Sequence, residues 1–420
     1  MFDNLLPRFL RYVRINTQSS DRCYDCPSTP GQLELLKLLK QELEELGASE
    51  VRLNPSGYVM ATVPSSCQKA RIPTVAFLAH VDTAPDLSGE NVEPVVHRNY
   101  DGGILRFPRN PGIVLDPTAM PELHEAKGKD LVTASGTTLL GADDKAGVAV
   151  VMTLVEHLLG HPEIPHGRVR ICFTPDEEIG RGVDKVDLKA LDANVAYTMD
   201  GHAPGEICAE TFSADKATVT IRGVSTHPGD AQSKGMVNAV HLAGKFLAAL
   251  PREHCAPETT AGREGFIHPL ELEGNVEQVV IKLILRDFER EGLVEKGAVV
   301  KTLCRSMQTA ERRARITCRI QKQYRNMAYW LQKDRLPVEL AFQACRSIGL
   351  NPFEVPVRGG TDGSRLTERG LPTPNLFCGM RNVHSAFEWV AVQDMELAVQ
   401  ATLKLLELWA DKGARFRGYS

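Results

Sequence analysis

No stretch of this 420-residue chain approaches the ~20 consecutive apolar residues that a helix needs to cross a bilayer. The N-terminal MFDNLLPRFLRYVRI instead spaces Phe2, Leu5, Leu6, Phe9, Leu10 and Val13 three and four apart with arginines between them, the pattern of an amphipathic helix. It lacks the continuous apolar core and small-residue cleavage site of a secretory signal, so a cytoplasmic protein with no membrane partner is expected. Charge of one sign is not in excess either. With 49 Lys and Arg against 53 Asp and Glu the formal charge is −4, which leaves no broad basic face for nucleic acid. The ten cysteines lack the dense, regular spacing of a secreted disulfide scaffold, and Cys172, Cys208, Cys318 and Cys345 read as reduced core side chains. Cys23 and Cys26 have CxxC spacing, but no second CxxC or nearby histidine pair completes a zinc ribbon, and SSDRCYDCPSTP reads as a loop. Internal repeats and low-complexity tracts are also missing.

What is present is the composition of a globular protein, 43% hydrophobic and 24% charged, in a chain long enough for two domains. PGQLELLKLLKQELEELG sets leucines at helical spacing, starts on a proline and ends on Gly47. VRLNP and YVMATV predict a hairpin, and IPTVAFLA is the near-continuous apolar run of a strand covered on both faces. From residue 83 to about 138 the chain is rich in Pro and Gly and weakly periodic, and loops of that length are functional or carry small elements of their own. A helix in DDKAGVAVVMTLVEHLL and strands in RVRICFT and NVAYTM restore the alternation of an α/β domain, with a mixed, largely parallel sheet covered by helices. From about Ala214 the texture changes to KATVTIRG, VVIKLILRDF and ARITCRI, with helices at VNAVHLAGKFLAAL and REGLVEKGAVVKTL. This fits an inserted, smaller α+β unit of βαββαβ order. The α/β pattern then resumes with a helix over about 338–348, a short strand in PTPNLF and an amphipathic helix over 394–409.

The doublet Glu177 and Glu178 lies between Pro175 and Gly180, directly after the apolar run RVRICFTP. In a metal site one carboxylate of such a pair can hold a cation while its unligated neighbour takes a proton from attacking water. His80 and Asp82, spaced by two at the end of VAFLA, fall on one side of an extended backbone, and an acid so placed can hold the second ring nitrogen of a metal-bound histidine. Asp143 in LLGADDKAG lies where a loop passes into a helix, with Asp144 and Lys145 reading as a solvated cap and counter-charge. Asp200 ends VAYTM before a glycine, and His384 follows PNLFCGMRNV. Taken singly, each has an ordinary structural explanation as a turn, a cap or a buried pair. Together, His80, Asp143, Glu177, Glu178, Asp200 and His384 all fall at the carboxyl ends of expected strands or at a helix start on that side. Open α/β sheets build their sites along that edge. Two histidines and four carboxylates with no cysteine suit two borderline divalent cations, such as zinc or cobalt, with manganese as a further option.

The strings AHVDT, LLGADDKAG, FTPDEEIGRG, MDG, THPG, LRDF and RGGTDGSRL follow one another in order and spacing. On these the chain resembles the peptidase T family of tripeptide aminopeptidases, within the co-catalytic dizinc exopeptidases and deacylases, and the similarity runs from the first helix to the last. The resemblance implies a catalytic domain at 1–213 and 323–420 interrupted by a lid at 214–322. It implies Asp143 as the ligand shared by two metal ions, with zinc first among the candidates; His80 and Asp200 complete one site, and Glu178 and His384 the other. Asp82 would orient His80, and Glu177 would be the general base. His227 in STHPG would meet the oxyanion from the lid, within the chain or across a homodimer. Arg286 and Arg358 would clamp the carboxylate of a short peptide.

The walls around two of these ligands differ from the family pattern. After Asp200 the chain reads GHAPGE in place of a glycine-rich GGGxGE, and around His384 it reads CGMRNVHSAFEW in place of a tyrosine-rich approach and HGKHEF. The expected activity is metal-dependent release of the N-terminal residue from short peptides, tripeptides first. Dipeptide hydrolysis, deacylation of N-acyl amino acids, and peptide binding without catalysis are the alternatives. An unligated Glu177 argues against the last.

Overall fold

The apolar runs at 75–80 and 169–174 become neighbouring parallel strands, Val75–His80 and Val169–Thr174, buried at every position in a computed structural model that describes residues 2–68, 71–416 and 418. Val195–Gly201 flanks the first of them in parallel, and Asn375–Phe377 adds a fourth parallel strand beyond it. The hairpin of Ser49–Leu53 and Val59–Val63 closes one side antiparallel, while Glu206–Thr211 and Phe353–Val357 complete the other. The eight-stranded sheet is therefore mixed, with a parallel centre whose strands show no polar alternation because both faces are covered. Helix Ala142–Gly160 packs on Val75–His80 and Val195–Gly201, and helices Leu5–Tyr12 and Val392–Lys412 pack on it in turn. Leu5–Tyr12 buries Leu5 and Phe9 of the predicted stripe together with Arg8 and Tyr12, while Leu6 and Leu10 are half-buried.

The Pro- and Gly-rich segment does carry small elements. Strands Val95–His97 and Leu131–Thr133 join Trp389–Ala391 and Met380–Arg381 in a second sheet, and Phe107, Leu115, Leu123, Leu131 and Trp389 form a core of their own. All of this belongs to one unit, Met1–Ala209 with Tyr329–Val355 and Thr361–Ser420.

The other unit, Glu210–Ala328 with Pro356–Gly360, holds a four-stranded antiparallel sheet in the order Phe266–Gly274, Gln278–Asp287, Ser213–Arg222, Arg315–Tyr324. Helices Ala239–Ala248 and Arg290–Ala310 pack on it, giving βαββαβ order. Along Gln278–Asp287 every second residue is buried, and Val279, Ile281, Leu283 and Leu285 enter the core with Phe246 and Val300. Phe266–Gly274 carries no clear alternation in the sequence because it is an edge strand, interrupted by Pro269 and mostly exposed. The unit extends a few residues beyond 214 and 322 on either side, and Pro356–Gly360 joins it from a distant part of the chain. Among the described residues no helix is long and apolar enough to cross a membrane.

Candidate metal centre

Parallel pairing in register sets His80 opposite Thr174 at the carboxyl edge of the large sheet. Two residues further on, Asp176 takes a φ of +60°, a conformation that costs a non-glycine residue about 1 kcal/mol or more. Hydrogen bonds hold it there. Its buried carboxylate accepts from Ser28 N at 3.0 Å and Gln32 Nε2 at 2.8 Å, and its amide donates to Gln32 Oε1 at 3.1 Å. The doublet that follows is held by its backbone: Glu177 N donates to Asp82 Oδ1 at 2.9 Å and Glu178 N to Asp82 Oδ2 at 3.1 Å.

His80 Nε2 lies 3.0 Å from Asp143 Oδ1 and 3.9 Å from Asp200 Oδ1. His384 Nε2 lies 3.4 Å from Asp143 Oδ2 and 3.0 Å from Glu178 Oε2. Asp143 thus presents one oxygen to each histidine. The remaining ring nitrogens are also held, His80 Nδ1 by the Asp82 carbonyl at 3.0 Å and His384 Nδ1 by Asp86 Oδ2 at 3.3 Å. Asp82 therefore meets His80 chiefly through its main chain, its carboxylate being engaged by the doublet and 3.5 Å from the ring.

Asp143 is set in place by Glu388. Glu388 Oε2 accepts the amides of Leu140 at 2.7 Å and Gly141 at 2.8 Å, and its Oε1 accepts the Asp143 amide at 3.0 Å. The first residues of the following helix are not helical, and the cap of its regular part is Asp144, whose Oδ1 accepts the Gly147 amide at 3.2 Å. Asp144 and Lys145 are not solvated as the sequence suggests; they are 0% and 1% exposed, and Lys145 Nζ donates to the Ile15 carbonyl at 2.8 Å. Helix Ala142–Gly160 packs on the sheet and on helices Leu5–Tyr12 and Val392–Lys412, and both side chains are covered. Gly147 is required there, because a Cβ would lie 2.1 Å from the Met199 carbonyl. Asp200 is clamped by Asn375, whose Oδ1 accepts its amide at 3.1 Å and whose Nδ2 donates to its carbonyl at 2.8 Å. Asp176 lies inside the string FTPDEEIGRG but is not singled out there, and Gln32, Asp86, Asn375 and Glu388 also shape the site without being picked out from the sequence. For Asn375 and Glu388 the one local signal is a polar residue amid apolar flanks, in PNLF and FEWVAV.

Burial pushes most of these acids toward the protonated form. Desolvation, with the Asp143 charge adding to it, raises Glu178 to about 7. Desolvation and then Asp362 and Glu178 raise Glu177 well above the carboxylate range, and desolvation with Asp143 and Asp144 does the same to Asp200. For Asp143 desolvation is outweighed by hydrogen bonds to His384 and His80, so it stays below the ordinary range. Bonds to Asp143 and Glu178 push His384 up to about 11. With all of these acids ionised the cluster would hold more negative charge than its two histidines offset, which is why burial favours their protonated forms. Glu178 Oε1 is buried with no hydrogen-bond partner among the described residues. An orphaned carboxylate oxygen beside converging imidazoles and acids fits a divalent cation. Ligand atoms of His80, Asp143 and Glu178 lie within 4.8 Å of one another, as do those of His80, Asp144 and Asp200. In the second set Asp144 already accepts the His80 and Gly147 amides, one with each oxygen.

The other three expected contacts belong to the smaller unit. His227 is exposed, and its Nδ1 accepts the Gly229 amide at 3.2 Å. Arg358 donates to the carbonyls of Gly262 at 2.9 Å and Glu264 at 2.8 Å and to Thr260 Oγ1 at 2.9 Å, and lies over the Phe212 ring. Arg286 donates through Nη1 to the Leu285 carbonyl and Gln323 Oε1, both at 3.0 Å.

Residues 136–408 match the model of peptidase family M20/M25/M40. The chain is 44% identical over 412 residues to peptidase T of Listeria monocytogenes serotype 4b, covering 98% of this chain and all of that one. It is likewise 44% identical over 414 residues to peptidase T of Geobacillus kaustophilus, covering 99% of this chain and all of that one. Among solved structures, the aminopeptidase PepT of Bacillus cereus superposes with a TM-score of 0.73 at 22% identity, covering 98% of this chain and 99% of that one. A tripeptidase of Staphylococcus aureus does so with a TM-score of 0.75 at 20% identity, over the same shares of the two chains. With its centre at the carboxyl edge of this sheet, the chain belongs to peptidase family M20/M25/M40 and, within it, to the peptidase T group.

Proposed function

We propose that this peptidase releases the N-terminal residue from short peptides, tripeptides first, with Glu177 carrying the proton. The observation that supports it most is Asp143 standing between two histidines, each beside a further carboxylate, with Glu177 left over. His80, Asp143 and Asp200 would hold one divalent cation, and Asp143, Glu178 and His384 the other; zinc suits this donor set best, with cobalt or manganese next. Such a pair, when bound, polarises a peptide carbonyl and activates a water. Glu177 then takes a proton from the attacking water at its carboxylate and delivers it to the departing amine. Its raised proton affinity favours the uptake of that proton. His227, exposed on the smaller unit, would donate to the oxyanion from its own chain or from a partner in a homodimer. Arg286 is the stronger candidate for the substrate carboxylate, since the hydrogen bonds of Arg358 already occupy both of its terminal nitrogens. A cytoplasmic place of action fits a substrate pool of short peptides.

The names of the Bacillus cereus aminopeptidase and the Staphylococcus aureus tripeptidase support that substrate class. Initial rates on Ala-Ala, Ala-Ala-Ala, Ala-Ala-Ala-Ala and N-acetylalanine, with zinc, cobalt or manganese supplied, test it. The tripeptide should be cleaved fastest and the acetyl amide not at all. Preferred cleavage of the acetyl group would overturn the assignment.

A further inference from the structure

We propose that Cys304 and Cys318 in the smaller unit form a redox pair, which closes into an intrachain disulfide when a low-molecular-weight disulfide reaches it. The helix and the strand that carry them lie face to face. A Cβ on Gly297 would meet Ile320 Cδ1 at 3.1 Å, so helix position 297 lies over strand position 320. Seven residues further the helix has risen ~10.5 Å, about three residues of strand. The chain reverses between Arg290–Ala310 and Arg315–Tyr324, so this rise carries Cys304 over the region of Cys318. Cys318 pairs with buried Val219 on the neighbouring strand and so shares its helix-facing side. Both thiols belong to one core, Cys304 buried within it and Cys318 packed against it. Both line a surface groove of about 460 Å³, together with Lys301, Arg305, Gln308 and Ile316.

The two thiols are not equivalent. Cys304 is 5% exposed, while Cys318 is half-buried. The neighbouring Cys304 thiol, and then the Lys301 charge, favour the thiolate at Cys318, whereas the neighbouring Cys318 together with burial keeps the proton on Cys304. Cys318 is therefore the attacking sulfur. Its thiolate attacks one sulfur of the small disulfide and expels a thiolate. Cys304 then loses its proton to solvent and attacks the Cys318 sulfur, expelling the second thiolate. The protein loses two electrons and two protons, and the small disulfide becomes two thiols. Lys301 and Arg305 favour an anionic reagent, and the bond would staple the helix to the edge strand.

The test incubates the full-length enzyme with glutathione disulfide, alkylates the remaining thiols and maps the peptides by mass spectrometry. A dithiothreitol-sensitive Cys304–Cys318 cross-link should appear ahead of modification at the half-buried Cys67 and Cys255. Cys304→Ser should accumulate a mixed disulfide at Cys318, while Cys318→Ser should leave Cys304 unmodified. Peptide hydrolysis at the wild-type rate under reducing conditions reports that each variant is folded, and Cys304→Ala replaces the serine variant if that one is not. Glutathionylation of Cys67 and Cys255 with no Cys304–Cys318 cross-link would overturn the proposal, as would equal reactivity of Cys304 with and without Cys318.

Discussion

Asp82 holds Glu177 by its main chain: Asp82 Oδ1 accepts the Glu177 amide at 2.9 Å while its Oδ2 takes the Glu178 amide at 3.1 Å. An asparagine there offers one acceptor and one donor, so one amide of the doublet would face an N–H group. Asp82→Asn should lower stability by about 1–3 kcal/mol. By misplacing Glu177 it should also reduce kcat on the order of 100-fold. Metal content should change little, because the main-chain carbonyl of residue 82 still meets His80. Steady-state kinetics alongside metal analysis checks both halves, and an unchanged kcat would count against the clamp.

The two members of the doublet should fail differently. Glu177→Ala should lose about 10²–10⁴-fold in turnover with its metal retained. Glu178→Ala removes the carboxylate facing His384 at 3.0 Å and should lose metal as well. Elemental analysis of both purified variants separates the roles, and equal metal loss would contradict them.

Glu388 touches no expected substrate group, yet three amides of the 140–143 turn depend on it. Glu388→Gln keeps one good acceptor and sets an amide group where the other oxygen stood. Affinity for the metals should fall about 10–100-fold, in line with lost support of a ligand. Titration of the metal-free variant with zinc against a competing chelator measures it, and wild-type affinity would show that the turn holds its shape unaided.

Removing metal should change how stability depends on pH. In the metal-free protein Glu178 rises from 4.5 to about 7 and Glu388 from 4.5 to about 7, so between those limits the folded chain holds more protons than the unfolded one. His384 rises from 6.5 to about 11, which has the same sign over the next interval. Stability of the chelated enzyme should therefore fall as pH rises from ~5 to ~9. Metal binds the deprotonated ligands, so the loaded enzyme should diverge upward over that range. Urea unfolding with and without chelator tests this, and parallel curves would refute it.

Much of the centre was legible in the chain because local pattern positions it. Uninterrupted apolar runs make doubly covered strands, so the ends of Val75–His80 and Val195–Gly201 could be placed and His80 and Asp200 with them. The supports were not legible. Glu388 binds amides 245–248 residues away, and Gln32 meets Asp176 across 144 residues, and such pairings leave no periodicity in either segment. Lys145 misleads for a related reason: a charged side chain after a cap reads as solvated until helices close over it.

By itself the sequence determined the two-unit organisation, the strand edge on which the acids and histidines gather and the class of chemistry they suit. Hydrophobic periodicity and motif spacing are properties of neighbouring residues. Only the tertiary structure decided that the Asp82 carboxylate serves the doublet while its carbonyl serves His80, that Asp144 caps a helix while Asp143 faces both histidines, and that Glu388 sets the turn between them. These choices depend on which donors and acceptors burial leaves unsatisfied, and that is settled when distant segments pack.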